Sequence, residues 1–183
     1  MNGTPLRVVP FDPAHDRTSF SSGSTALDRY LREQVSQDIR RRIAACFVAL
    51  NDEHRIAGYY TLATASVPLK DLPDTIKRKL PRYAAVPAIR MGRLAVDQSF
   101  KGQGLGGALL INALRRAARS EIAAFAMIVD AKDEQAAAFY RHHAFIDLAD
   151  LPLKLFLPLA SVGPTQDSES RSEEHTSELQ SPC

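Results

Sequence analysis

Tryptophan is absent from the 183 residues, aromatic side chains make up only 7%, and cysteine occurs just twice. Cys46 lies in an apolar, strand-like run and Cys183 ends the chain, which argues against a disulfide framework. No apolar run approaches the roughly 20 residues of a membrane helix, and no signal peptide opens the chain, so no membrane role is expected and the expected compartment is the cytoplasm. There is no internal repeat and no linker before Ser161. What is present is ordinary for a soluble globular protein: 45% hydrophobic and 24% charged residues, in a length that suits one domain with a substantial core.

The end of the chain stands apart. From Ser161 onward the sequence is polar and lacks apolar periodicity, so residues 161–183 read as a disordered tail after a domain spanning residues 1–160. Residues 171–183, beginning "RSEEHTSELQS", resemble the in-frame translation of a common sequencing-adapter oligonucleotide, which would make them an assembly artefact and Cys183 non-native. The tail holds one basic and five acidic residues, so the net charge of +2 for the chain becomes +6 over residues 1–160. That excess biases the domain toward anionic partners.

Along the chain, "LRVVPF" reads as a strand, and "SGSTALDRYLREQVSQDIRRR" as a helix capped by Ser24 with Leu27, Leu31 and Val35 in its apolar stripe. "IAACFVAL" and "IAGYYTLATASVPL" form a hairpin around "NDEHR". A short proline-bracketed helix, "LPDTIKRKLP", precedes the strand "VPAIRMGRLAV". The helix "GLGGALLINALRRAARS" turns Leu109, Leu110 and Leu114 to the core; then come the strand "AAFAMIVDA", the helix "DEQAAAFYRHH" with Asp133 at its start, and closing strands in "AFIDL" and "LKLFLPL". The order β-α-β-β-α-β-α-β-α-β-β predicts one α/β layer structure with a mixed sheet flanked by helices.

The chemistry centres on "GRLAVDQSFKGQGLGGALL", a strand, a glycine-rich turn and a helix start. A P-loop needs a lysine and a hydroxyl after its last glycine, but Ala108 and Leu109 follow Gly107. Gly102, Gly104 and Gly107 do satisfy G-x-G-x-x-G, and Asp130 could serve as a ribose-binding acid. However, "DQSFK" separates strand from glycines, the motif follows antiparallel strands, and only about fifty residues remain for a second half-sheet. A turn that serves only close packing is a further reading. Coenzyme A fits best: backbone N–H groups of Gln103, Gly104, Leu105, Gly106, Gly107 and Ala108 at a helix N-terminus suit a pyrophosphate, and the strand at Leu94, Ala95 and Val96 offers main-chain hydrogen bonds to a pantetheine arm.

The segment resembles the acetyl-CoA-binding motif [RQ]-x-x-G-x-[GA] of GNAT-fold N-acetyltransferases, with Gly104 and Gly106 matching and Lys101 standing where Arg or Gln is usual. "VDAKDEQAAAFYRHHAF" resembles their closing FY-x-x-x-GF element, with Ala144 in place of glycine, which predicts a less kinked turn. With the opening segment, where Ser22-Gly23 replaces the common Cys-Gly, and the hairpin, residues 5–160 resemble the GNAT toxins of bacterial toxin–antitoxin pairs. The resemblance implies a GNAT acyl-CoA N-acyltransferase fold, acetyl-CoA as donor with Lys101, Gly102 and the turn among its contacts, and acetylation of the amino acid on charged tRNA. It also implies a ribbon–helix–helix antitoxin partner, promoter DNA bound only through the antitoxin complex, and a homodimer.

Under that resemblance Tyr140 is the general acid that protonates the leaving thiolate, a phenol with an ordinary pKa of ~10 being protonated at neutral pH. Phe139 reads as a core aromatic. Oxyanion donors would be backbone N–H groups of residues 94–96. No general base is evident, and the α-amine of an aminoacyl ester is less basic than a lysine amine, so one is not required. Arg40, Arg41, Arg42, Arg90 and Arg93 are candidate tRNA contacts, with Arg115, Arg116 and Arg119 on the following helix; a solvated basic face or antitoxin docking are the alternatives. His142 and His143 suit a helix end rather than a metal, and no zinc-type set or G-x-S-x-G elbow occurs. A GNAT enzyme for a small amine, peptide or protein N-terminus, or a non-catalytic CoA-binding module, is the other functional reading.

Overall fold

The computed structural model describes residues 6–163. Seven strands form one sheet in the order β1-β2-β3-β4-β5-β7-β6. They are β1 (Arg7–Pro10), β2 (Ala45–Leu50), β3 (Ile56–Pro68), β4 (Ala85–Val96), β5 (Ala126–Asp130), β6 (Ile146–Asp147) and β7 (Lys154–Pro158). All neighbours are antiparallel except β4 and β5. The element order matches the sequence expectation. The first helix does not run unbroken: α1 (Thr25–Arg29) and α2 (Val35–Arg40) are joined by a π-helical turn at Tyr30–Gln34, an extra residue in the spiral that keeps both Leu31 and Val35 buried. The remaining helices are α3 (Asp74–Lys77), α4 (Leu105–Ala118) and α5 (Glu134–His142).

Helices cover both faces of the sheet. On one face α4 presents Leu109, Leu110, Ala113 and Leu114 to β3, β4 and β5. The approach is close at Gly58, where a Cβ would stand 2.7 Å from Leu109 Cδ1 and 2.8 Å from the Ala95 carbonyl oxygen. On the other face α1 and α2 cover β2 and β3 through Leu31, Val35, Val48 and Tyr59. A separate cluster there holds Leu69, Leu72, Val67, Ile128 and Phe156.

Two features of β4 prepare the site. Thr61 pairs with Arg93 and Leu62 with Met91, which leaves Gly92 as an extra residue, a bulge that bends the strand. The parallel pairing with β5 covers only Ala88, Ile89 and Arg90 against Ala126, Met127 and Ile128. Beyond it β4 continues to Val96 with no strand on that side among the described residues.

A turn spans Leu159–Ser161, Val162 donates its N–H to the Leu159 carbonyl, and Val162 packs against the main core. The rest of the expected tail, residues 164–183, lies outside the described residues. Among those residues no helix is long and apolar enough to cross a membrane.

Candidate active site

The glycine turn follows the open edge of β4 after one 3-10 turn at Gln98–Phe100, which Asp97 caps. Asp97, only 1% exposed, accepts hydrogen bonds from the N–H groups of Ser21 (2.9 Å) and Ser99 (2.8 Å) and from Arg55 (3.2 Å). Burial pushes its carboxyl up, but the Ser21 and Ser99 bonds and the Arg55 charge outweigh it and hold the group below the usual carboxylate range. Gln98 returns an N–H to the Ser21 carbonyl, and Lys101 Nζ donates to the Ser22 carbonyl at 2.6 Å. The loop before α1 is thus stitched to the stem of the glycine turn. Its bond to Ser99 is local, but the partners that bury and charge-balance Asp97, Arg55 and Ser21, lie 42 and 76 residues away and leave no signal in the sequence.

Gly102 and Gly104 have φ of +81° and +77°, left-handed values that favour glycine, and a Cβ on either would meet nothing within 4 Å. The backbone therefore presents bare amides. Those of residues 103–107 have no acceptor among the described residues, whereas the Ala108 N–H donates to the Gly104 carbonyl at 3.1 Å. That bond corrects the expectation for Ala108: it is the first amide satisfied inside the helix, as the geometry of a helix start dictates. Leu105 buries its side chain in the core, so only its amide faces outward.

A cleft of about 330 Å³ opens along the unpaired edge, lined by residues 22–24, Leu27, Leu94, Ala95, Val96, Lys101 and Lys132. Lys132 comes from the β5–α5 turn and was not singled out from the sequence. The usable signal was its place just past the carboxyl end of a parallel strand, where open α/β sheets bind ligands.

Helix α5 closes the opposite side. Phe139 reaches to 3.9 Å from the Cβ position of Gly106, which Val96 Cγ2 also approaches at 3.9 Å, so the helix touches both turn and strand. Tyr140 sits between Phe139 (5.2 Å between ring centroids) and Phe145 (5.5 Å). Burial pushes its phenol up to about 12, and its hydroxyl has no hydrogen-bond partner among the described residues. His143 ends the helix and places Nδ1 2.9 Å from the Phe139 carbonyl oxygen, the helix-end role expected for it. Among the described residues no group of three or more His, Cys, Asp or Glu could hold a metal.

The expected relaxed turn at Ala144 is not found. Ala144 adopts φ +73°, its N–H donates to the Arg141 carbonyl, and the Phe145 N–H donates to the Tyr140 carbonyl. This paired set of bonds demands a left-handed residue after the helix, whatever its side chain.

The arginines divide. Arg40, Arg41 and Arg42 are exposed at the end of α2, without ion-pair partners among the described residues; Arg42 also lines a second cleft with Ile39, Ile43 and Thr64. Arg93 lies 3.5 Å above the Tyr30 ring, whose hydroxyl donates to the buried Asp38 at 2.8 Å, and its own donors remain unbonded among the described residues. Arg90 is committed to an ion pair with Asp130, which also receives Lys154 Nζ at 3.2 Å. Asp130 is therefore not a free ribose-binding acid. Arg116 is fixed to the sheet, 3.8 Å above Phe47 and bonded to the Tyr60 hydroxyl.

Comparison with known proteins agrees with this architecture. A family model described as "Acetyltransferase (GNAT) family" matches residues 13–145. The chain is 40% identical over 146 residues to a tRNA-acetylating toxin of Mycobacterium tuberculosis (strain ATCC 25618 / H37Rv), covering 79% of this chain and 86% of that protein. Among solved structures it superposes on AtaT complexed with acetyl-methionyl-tRNAfMet with a TM-score of 0.81 at 28% identity, covering 86% of this chain and 97% of the other. AtaTR bound with AcCoA gives 0.75 at 29%, with 86% and 95% covered. A tyrosine-to-phenylalanine mutant of the AtaT toxin, bound to the C-terminus of the antitoxin AtaR, gives 0.72 at 25%, with 86% and 95% covered.

Proposed function

Because the chain belongs to the acetyltransferase (GNAT) family, we propose that it transfers the acetyl group of acetyl-CoA to the amino group of aminoacyl-tRNA, as a toxin that blocks translation. The observation that carries the donor half is the unpaired edge of β4 followed, one 3-10 turn later, by a turn of bare amides. Main-chain groups of Leu94, Ala95 and Val96 hold the pantetheine arm and offer N–H groups to the oxyanion, and the amides of residues 103–107 hold the pyrophosphate. Lys101 and Lys132 add charge at that cleft. In the reaction a bond forms between the amine nitrogen and the acetyl carbon and the carbon–sulfur bond breaks. The amine gives up one proton to solvent, Tyr140 gives one to the departing thiolate, and Tyr140 regains its proton from solvent.

Exposed Arg40, Arg41 and Arg42, with Arg93 at the bulge of β4, contact tRNA phosphates. The toxin works in the cytoplasm as a homodimer. It is neutralised by a ribbon–helix–helix antitoxin, and promoter DNA is bound only by the pair. The relatives named for tRNA acetylation and for an antitoxin complex support this reading.

The test supplies labelled acetyl-CoA with charged tRNA, uncharged tRNA, polyamines and peptides, beside a Tyr140→Phe control. Label on charged tRNA alone, lost in the variant, is the expected result. Label on polyamines or peptides but not tRNA would overturn the substrate assignment, and coenzyme A binding without any transfer would reduce the chain to a binding module.

A further inference from the structure

The sheet face under α1 and α2 carries two separate apolar clusters, one including Ala95 of β4 and the other Ala88. Seven residues apart, these would face opposite ways on a regular strand; the extra residue at Gly92 returns them to one face. Between the clusters the same face of β4 shows two arginines, Arg90 and Arg93. The gap lies where β4 parts from β5, since Arg90 and Ile128 are the last pair of their ladder.

A pocket of about 150 Å³ opens beside this gap. Val67, Ile128, Leu148 and Leu151 give it apolar walls. Three of its charges, Arg90, Asp130 and Lys154, form the ion-pair chain described above, which is left with one positive charge over. The fourth is Asp71, half-buried, whose carboxylate has no partner among the described residues. The volume is below the ~300 Å³ of a complete small-molecule site but enough for a benzene-sized group. It suits a fragment of a larger acceptor held elsewhere.

We infer that this pocket receives the side chain of the amino acid esterified to the acceptor tRNA and selects apolar side chains up to about the size of a phenyl ring. The inference rests on the proposed tRNA acceptor. The donor lies along the edge at residues 94–96, so an amine reaching the parting point of the strands from the arginine-lined face brings its side chain over Ile128 and Leu151. With Asp71 the four charges sum to zero, so the pocket offers no net charge to draw in an acidic or a basic side chain. Loss of one methylene in such a pocket costs about 10–200-fold in discrimination.

The experiment measures kcat/KM of the full chain on tRNAs charged with Gly, Leu, Met, Phe, Trp or Asp. Leu, Met and Phe are expected to exceed Gly, Trp and Asp by about tenfold or more. Leu151→Trp, which fills the pocket, should lower the apolar substrates about tenfold and leave Gly-tRNA and the acetyl-CoA KM unchanged. Leu151→Ala should admit Trp. An unchanged ranking in both variants, with charged tRNA still acetylated, would overturn the pocket assignment alone. Absence of label on every charged tRNA with the unaltered protein would overturn the acceptor reading and this inference with it.

Discussion

Tyr140 owes its properties to two neighbours and a carbonyl. Phe139 and Phe145 enclose the ring, and the Tyr140 carbonyl is tied to the Phe145 N–H, so ring and backbone are both held. Replacing the hydroxyl alone, in Tyr140→Phe, should lower kcat by about 10²–10⁴-fold with the acetyl-CoA KM and the melting temperature unchanged. Burial raises the phenol to about 12, so the acid form is present throughout the neutral range. The rate should therefore rise with pH as the acceptor amine loses its proton, without a falling limb from this phenol below pH ~10. A falling limb in that range that vanishes in the Phe variant would refute the assignment. The sign for stability follows: the folded state holds this proton more tightly than the unfolded chain, so its contribution is full below the ordinary tyrosine value and is lost as pH rises toward 12.

At the scale of elements, the start of α4 and the end of α5 respond oppositely to glycine. A methyl group on Gly106 meets only ordinary contacts at 3.9 Å and favours the helix, so Gly106→Ala should keep or raise the melting temperature. The acetyl-CoA KM should not change, because the methyl faces Phe139 and Val96 and the motif admits alanine at this position. Ala144 is the reverse case. It bears a left-handed backbone that costs an L-residue about 1–2 kcal/mol, so Ala144→Gly should stabilise the protein by up to about 1 kcal/mol in urea titration, with turnover unaffected.

Across the whole molecule, charge decides how tRNA is held. The domain's excess of +6 is not spread evenly in effect, because Arg90 and Arg116 are engaged by Asp130 and Tyr60 while the α2 arginines stand exposed. Replacing Arg40, Arg41 and Arg42 together by Ala should weaken tRNA binding at low salt. It should also reduce the slope of log affinity against log salt by about 0.7–0.9 for each phosphate contact removed, with acetyl-CoA binding unchanged. An unaltered slope would place the nucleic acid on another face.

By itself the sequence determined the order of strands and helices, the apolar stripes of α4, and the turn of Gly102 and Gly104, because periodicity and positive-φ demands act within a few residues. The tertiary structure alone decided which amides and charges stay open. Gly92 became a bulge only through its pairing with β3; Asp97 found Ser21 across the chain; Lys132 came to the cleft because β5 ends beside β4; and Arg90 was withdrawn by Asp130. Ala144 shows the same limit, since the bonds that close α5 overrode its side chain's own preference. Local pattern specifies elements, but the availability of a polar group depends on partners tens of residues distant, and a single sequence does not encode those pairings in any local period.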